Sequence, residues 1–422
     1  MLVHLPYGKR KIAVNLPDSC DSFIVEPLFS PPLTDPENAL LKALEDPIGS
    51  LPIRNIIQPT DHVGIIFNDI TRPTPNSLIL HTILQELSAI IPRDHITLFN
   101  ALGTHRFNTT EELHQILDDE LIDNYQIIQN NAFDPASQIH LGTTKRGNEI
   151  LLNRDLWDCD VKILTGFIEP HFFAGFSGGG KAIMPGMAGL ATILGNHSPE
   201  MIADPDATWG ITWGNPIWEE IHEIALMVKR KFLVNVTLNK NKEITGIFCG
   251  DLDEAHSRGC EFVKKVSLVP VNELFDIVIT TNSGYPLDIN LYQSVKGMSA
   301  AAQIVKQGGT IIIATECQDG IPEHGMYGNL LNLYRHPEEL LDNVLKFESP
   351  CLDQWQVQKQ AMIQKKADIY VYSDGLTDRQ IRSAMLLPCR SIEATLVELI
   401  EKYGPQARIC VLPEGPQTIP IG

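Results

Sequence analysis

The 422-residue chain is poor in paired cysteine. Its eight cysteines are scattered, with no C-x-x-C pair and no ligand-like spacing. That pattern argues against a disulfide framework or a zinc ribbon and for a reduced interior with buried thiols. Long apolar runs are missing too: no 18 consecutive apolar residues occur, and the opening MLVHLPYGKRKIAVNLP has no apolar stretch behind its charges. A soluble, cytoplasmic protein is expected. Basic residues are scarce, 33 Lys and Arg against 52 Asp and Glu, for a net charge of −19 without a basic run. A surface of that sign repels phosphodiester backbones and anionic lipid, so neither nucleic acid nor a membrane is expected as a partner. Neither H-x-H nor H-E-x-x-H is present, so the sequence declares no protein-only metal site. A single histidine could still complete the coordination of a metal carried by a cofactor.

What is present is a rhythm. Strand-like runs alternate with helical patterns: HVGIIFND (62–69), SLILHTILQEL (77–87), HITLFNALG (95–103), TTEELHQIL (109–117) and VKILTGF (161–167). The alternation reads as βαβ units on a largely parallel sheet. It continues through IWEEIHEIALMV, FLVNVTLN and EITGIFCG to a helix opened by Asp251, and restarts at FDIVITTN (275–282) in a doubly wound pattern ending near RICVLPEG (408–415). The expected fold is α/β with two α/β domains on largely parallel sheets and the active site in the cleft between them. The boundary is placed at 270: residues 1–270 form the N-terminal domain and 271–413 the C-terminal one, with the tail 414–422 free to return to the first.

Ligands of such sheets sit beyond the carboxyl ends of the strands. Unusual residues cluster there: Asp69 and Arg72 in NDITRPTP, His105 in ALGTHR and His171 in GFIEPHFFAG. Next comes GFSGGGKAIMPG (175–186), which fits the phosphate-binding pattern G-x-x-x-x-G-K-[ST] except at its last position, Ala182, which cannot hold a metal ion. Pro185 and Gly186 also arrive where that motif needs a helix. The three glycines 178–180 suggest close approach of the backbone to something. A lysine among apolar neighbours is desolvated, which favours the neutral, nucleophilic amine, so covalent attachment at Lys181 competes with phosphate contact.

Three histidines, His105, His171 and His197, lie in loops rich in Gly or polar residues. Such a residue can act as acid, base or metal ligand, or merely hydrogen-bond a turn. Arg72, bracketed by Pro73 and Pro75, reads as an aimed side chain over a helix-start ion pair. Asp69 reads equally as a turn residue or a contact to cofactor hydroxyls.

The segments NDITRPTP, GTHR, GFIEPHFFAGFSGGGKAIMPGMAG, GNHSPE (195–200) and LYQSVKG (291–297) together resemble the nickel-dependent lactate racemase family. The resemblance implies nickel in a nickel-pincer nucleotide, pyridinium-3,5-bisthiocarboxylic acid mononucleotide, tethered to Lys181 and received from cofactor-synthesis enzymes as transient donors. It implies His197 as the nickel ligand and His105 and His171 as the acid–base pair. It places Arg72, Tyr292, Gln293, Lys296 and Trp355 around the substrate, a small 2-hydroxy acid, with Asp69 and Gly178, Gly179 and Gly180 near the cofactor. The implied activity is racemisation or epimerisation by hydride removal from the α-carbon through a 2-keto acid. The alternatives are a P-loop-like nucleotide-binding protein or kinase, against which Ala182 stands, and a cofactor carrier without turnover, against which His105 and His171 stand.

Overall fold

A computed structural model describes residues 1–17, 20–346 and 350–421. The chain forms two compact units. One comprises Phe29–His197 and Pro205–Lys264; the other comprises Met1–Leu28, Ser198–Asp204 and Lys265–Gly422. The first 28 residues therefore group with the C-terminal half. So does the tail segment Ile419–Ile421, which pairs in parallel with Leu268–Pro270. Gly422 lies outside the described residues.

In the first unit a six-stranded sheet runs in the order Ile244–Gly250, Lys231–Leu238, Val161–Phe167, Val63–Asn68, Ile96–Ala101, Gln126–Gln129. All pairs are parallel except the first, an antiparallel edge. The Val161–Phe167 strand is buried at every position. Both its faces are covered, which is why it reads as a continuous apolar run. The chain order reverses at Val63–Asn68: the next two strands lie to one side, and Val161–Phe167 lies on the other. Adjacent loops leave in opposite directions at such a point and a crevice opens beyond the strand ends. Residues 69–75 and 168–182 flank it.

The second unit carries a parallel sheet in the order Leu387–Pro388, Ala367–Tyr372, Val305–Ala314, Phe275–Thr281, Arg408–Leu412, Asp21–Ile24. The helices Leu291–Ile304 and Gln354–Gln364 cover one face, where Val295, Met298, Val357 and Ala361 join the core. The hairpin of Leu2–Tyr7 and Arg10–Asn15 packs on the other, with Val3, Leu5 and Tyr7 against Ile277, Ile279 and Ile312. That hairpin was not anticipated, because Pro6 interrupts LVHLPY and RKIAVN lacks the apolar–polar alternation that marks a half-buried strand.

Candidate functional site

The loop after Val63–Asn68 is tied down by its own polar residues. Thr74 Oγ1 donates to Asn68 Oδ1 at 2.8 Å, Asn76 Nδ2 to the Asn68 carbonyl at 3.0 Å, and the Arg72 N–H to the Asp69 carbonyl at 3.1 Å. Asp69 is buried, and its Oδ2 lies 2.7 Å from His105 Nδ1, while Oδ1 accepts from Thr71 Oγ1 at 2.8 Å. Burial alone would raise the Asp69 pKa; the charge and hydrogen bond of His105, with help from Arg72 and Thr71, overcome it and hold the carboxyl below the ordinary carboxylate range. The Asp69 carboxylate is thus engaged with His105, a pairing that neither sequence reading of Asp69 contained. An ionised Asp69 accepts, so Nδ1 of a neutral His105 carries the proton and Nε2 keeps its lone pair.

His171 has the opposite arrangement. It is buried, and its Nδ1 accepts from the backbone N–H of Ala174 at 3.2 Å and of Phe173 at 3.5 Å. A neutral His171 therefore carries its proton on Nε2. These tautomers follow from the hydrogen-bond partners. In the neutral state one histidine presents a lone pair at Nε2 and the other an N–H.

Phe173 joins the remaining members. Its ring meets His171 edge-on at 4.5 Å and His197 edge-on at 5.0 Å, and Lys181 Nζ lies 5.8 Å from its centroid. Lys181 is desolvated, and burial followed by the Arg72 charge lowers its pKa from 10.5 to about 7. Burial, then the charge of Lys181, lowers His197 from 6.5 to about 3. Near pH 7 His197 is neutral, the state that metal ligation by an imidazole requires, and about half of Lys181 is the free amine that acylation requires. The residues thus fit a group that is covalently tethered and also carries a metal ion. Within the described residues no set of three or more His, Cys, Asp or Glu could hold a metal ion.

The glycines have a packing role. Gly178 and Gly179 adopt φ of +75° and +56°; a Cβ on Gly178 would lie 2.5 Å from Asn235 Oδ1, and one on Gly179 would lie 2.7 Å from the His256 ring. A Cβ on Gly180 would meet Ala225 at 3.0 Å. The missing side chains make room for protein atoms. Nor does the loop cradle a phosphate: Gly179–Ala182 is a single 3₁₀ turn, the Gly179 N–H donates to Asn235 Oδ1 at 2.8 Å, and the Lys181 N–H donates to the Gly178 carbonyl at 3.1 Å. A phosphate site needs those donors pointing outward from a helix start. A cavity of about 510 Å³ borders Lys181, Gly178 and Gly180, walled by Trp218 and Ile221 from one helix and His256 and Cys260 from another. That is room for a small organic ligand.

In the second unit, Tyr292, Gln293 and Lys296 lie on the Leu291–Ile304 helix, whose N-cap Asn290 accepts from the Gln293 N–H at 3.0 Å. Trp355 Nε1 donates to Tyr292 Oη at 2.8 Å, and Lys296 Nζ donates to Gln293 Oε1 at 2.7 Å. The structure therefore brings Asp69, Arg72, His105, His171, Lys181 and His197 into one neighbourhood of the first unit, and the other four of the five expected substrate contacts into two pairs in the second. Sequence reasoning missed Phe173, Asn235 and His256. Only the adjacency of Phe173 to His171 offered any signal.

Residues 7–210 match the lactate racemase N-terminal domain and residues 271–419 the lactate racemase C-terminal domain. The lactate racemase of Lactiplantibacillus plantarum is 34% identical over 419 residues, covering 98% of each chain. That of Thermoanaerobacterium thermosaccharolyticum is 32% identical over 422 residues, covering 99% of this chain and 98% of the relative. The solved structure of the lactate racemase apoprotein from T. thermosaccharolyticum superposes with a TM-score of 0.92, covering 100% of both chains. A protein of known structure from Thermotoga maritima, 17% identical, shares the fold with a TM-score of 0.70 over 93% of this chain and 99% of its own. The chain belongs to the lactate racemase family.

Proposed function

We propose that this protein is a racemase or epimerase of 2-hydroxy acids that works with a nickel-pincer nucleotide tethered at Lys181. The observation that carries the proposal is the opposed pair of histidines, His105 with its Nδ1 against Asp69 and His171 with its Nδ1 occupied by backbone N–H groups. Inverting a carbinol centre asks for a proton acceptor and a proton donor on two faces of one substrate, both working near neutral pH.

Lys181 would hold the cofactor covalently through its neutral amine, and His197 would ligate the nickel. When bound, the cofactor supplies a hydride acceptor, which spares the enzyme from pulling a proton off a carbon next to a carboxylate. The chain's own residues do the rest. His105 Nε2 takes the hydroxyl proton, and Asp69 fixes that ring and stabilises the imidazolium that results. His171 returns its Nε2 proton to the oxygen when the opposite enantiomer forms, acting from the imidazolium so that a neutral ring is left behind, and the two exchange roles in the reverse direction. Arg72 grips the substrate carboxylate with a planar fork, supplying the local cation that the net charge withholds. Lys296, Gln293, Tyr292 and Trp355 complete the substrate contacts. The cofactor reaches the chain from separate synthesis enzymes.

Lactate is the substrate named for the relatives. Carboxylate and hydroxyl are common to every 2-hydroxy acid, so the test is a panel of enantiopure 2-hydroxy acids presented to cofactor-loaded protein. The proposal expects loss of optical activity with at least one acid. Retention of configuration across the panel by protein carrying stoichiometric nickel would refute it.

A further inference from the structure

Glu220 is an acidic side chain in the wrong place for a surface charge. It lies on the Pro216–Met227 helix with 2% of its surface exposed. Three neutral groups donate to its carboxylate: Thr144 Oγ1 at 2.6 Å and Asn148 Nδ2 at 2.8 Å to Oε1, and Asn196 Nδ2 at 2.9 Å to Oε2. Burying a carboxylate among neutral donors is costly and is offset only where its oxygens are well hydrogen-bonded. A carboxylate offers what no apolar or amide side chain can, two oxygens that accept only, with enough lone pairs for all three donors.

The third donor is the informative one. Asn196 ends the short helix Leu190–Asn196 and is fully buried; its Nδ2 also donates to the Ile217 carbonyl at 3.1 Å. Both partners of that amide are acceptors, so its orientation is fixed. The next residue is His197, the helix C-cap, whose N–H reaches back to the Ile193 carbonyl at 2.9 Å. Helix ends fray because their last turn lacks intrahelical partners. Here the final residue is pinned sideways to a longer helix instead. The same long helix holds the other side of His197: its N-cap Asn215 donates from Nδ2 to the Phe173 carbonyl at 2.9 Å, and the Phe173 ring packs edge-on against His197.

We propose that Glu220 is a positioning residue for His197, acting through Asn196 to fix the turn from which the imidazole projects. The link to nickel rests on the reading of His197 as the metal ligand; the positioning itself does not. Groups that orient a metal ligand commonly change metal affinity by about 10–100-fold when removed, and here the orientation would pass through the backbone from Asn196 to His197.

The test uses E220Q and N196A, with T144V as control, because Thr144 donates to the same carboxylate without leading to His197. Two measurements are made on the full-length protein. Histidine side-chain NMR of cofactor-free protein follows the His197 signals, assigned by their loss in H197Q. Nickel release from cofactor-loaded protein is timed against a chelator. The expected result is that E220Q and N196A displace or broaden the His197 signals, leave those of His105 and His171 in place, and speed nickel release by about 10–100-fold, while T144V does neither. Unmoved His197 signals in folded E220Q and N196A would overturn the proposal, as would an equal effect of T144V. Displaced His197 signals together with a parent protein that never binds nickel would uphold the positioning and refute the metal assignment alone.

Discussion

Asp69 and His105 come from the ends of neighbouring parallel strands and meet through a 2.7 Å contact between Oδ2 and Nδ1. The buried carboxylate sets the tautomer and tilt of a more exposed imidazole, whose side chain is 29% accessible against 5% for Asp69. An acceptor on Nδ1 leaves Nε2 as the base, the division of labour that an Asp–His pair provides in general.

Asp69→Asn is therefore expected to lower racemisation by roughly 10²-fold or more, within the range that a positioned acid–base group contributes, and to leave nickel content unchanged. Steady-state rates for both enantiomers, with metal analysis of the same samples, check this.

The proposed function divides the three histidines by role. His105→Ala and His171→Ala should each retain nickel and lose about 10²–10⁴-fold in rate, whereas His197→Ala should lose the metal. Equal metal loss in all three would contradict the division.

Lys181 should behave as an amine of unusually low basicity in cofactor-free protein. With its pKa lowered to about 7 by burial and then by the Arg72 charge, its reaction with an acylating reagent should rise through a midpoint near pH 7. Arg72→Gln removes the smaller of the two causes, so the midpoint should move upward while staying below 10.5. Peptide mapping after pulses of reagent at several pH values measures it.

His197 should make the cofactor-free protein acid-sensitive. Its pKa falls from 6.5 to about 3 on folding through burial and then the Lys181 charge. Between those values the unfolded chain binds a proton that the folded one refuses. This group's contribution to stability is therefore intact above pH 6.5 and declines as pH drops toward 3. Asp69 adds to the trend at lower pH: its carboxyl is held below 3.8, so its contribution is lost as pH falls through that region. His197→Gln should flatten the decline between pH 6.5 and 4, as read from urea midpoints.

Much of this was legible in the sequence, for identifiable reasons. Buried parallel strands such as Val161–Phe167 are continuous apolar runs, and helices such as Asn76–Leu87 and Ile392–Tyr403 start and stop close to where their patterns did. The grouping of the first 28 residues with the C-terminal half was not legible, because strand pairing across nearly 400 residues, as between Asp21–Ile24 and Arg408–Leu412, leaves no local signature. In the site, the loop histidines and Lys181 stood out by their glycine-rich surroundings. The Asp69–His105 pair was hidden although both residues were noticed, because the order of strands in a sheet cannot be read from one chain. Phe173 and Glu220 were hidden more completely: an aromatic in an apolar loop and a glutamate on an amphipathic helix have ordinary explanations until their neighbours are known. The glycines 178–180 did not reveal their packing against Asn235, His256 and Ala225, since close approach to protein and close approach to a ligand demand the same residue.

The central claim is that Lys181 anchors the cofactor, and the most direct test is mass measurement of the peptide containing it. Protein produced together with the cofactor-making enzymes should carry a nucleotide-sized mass addition confined to Lys181, with one nickel per chain before denaturation, and Lys181→Ala should carry neither. An unmodified Lys181 in protein that nonetheless racemises a 2-hydroxy acid would contradict the account.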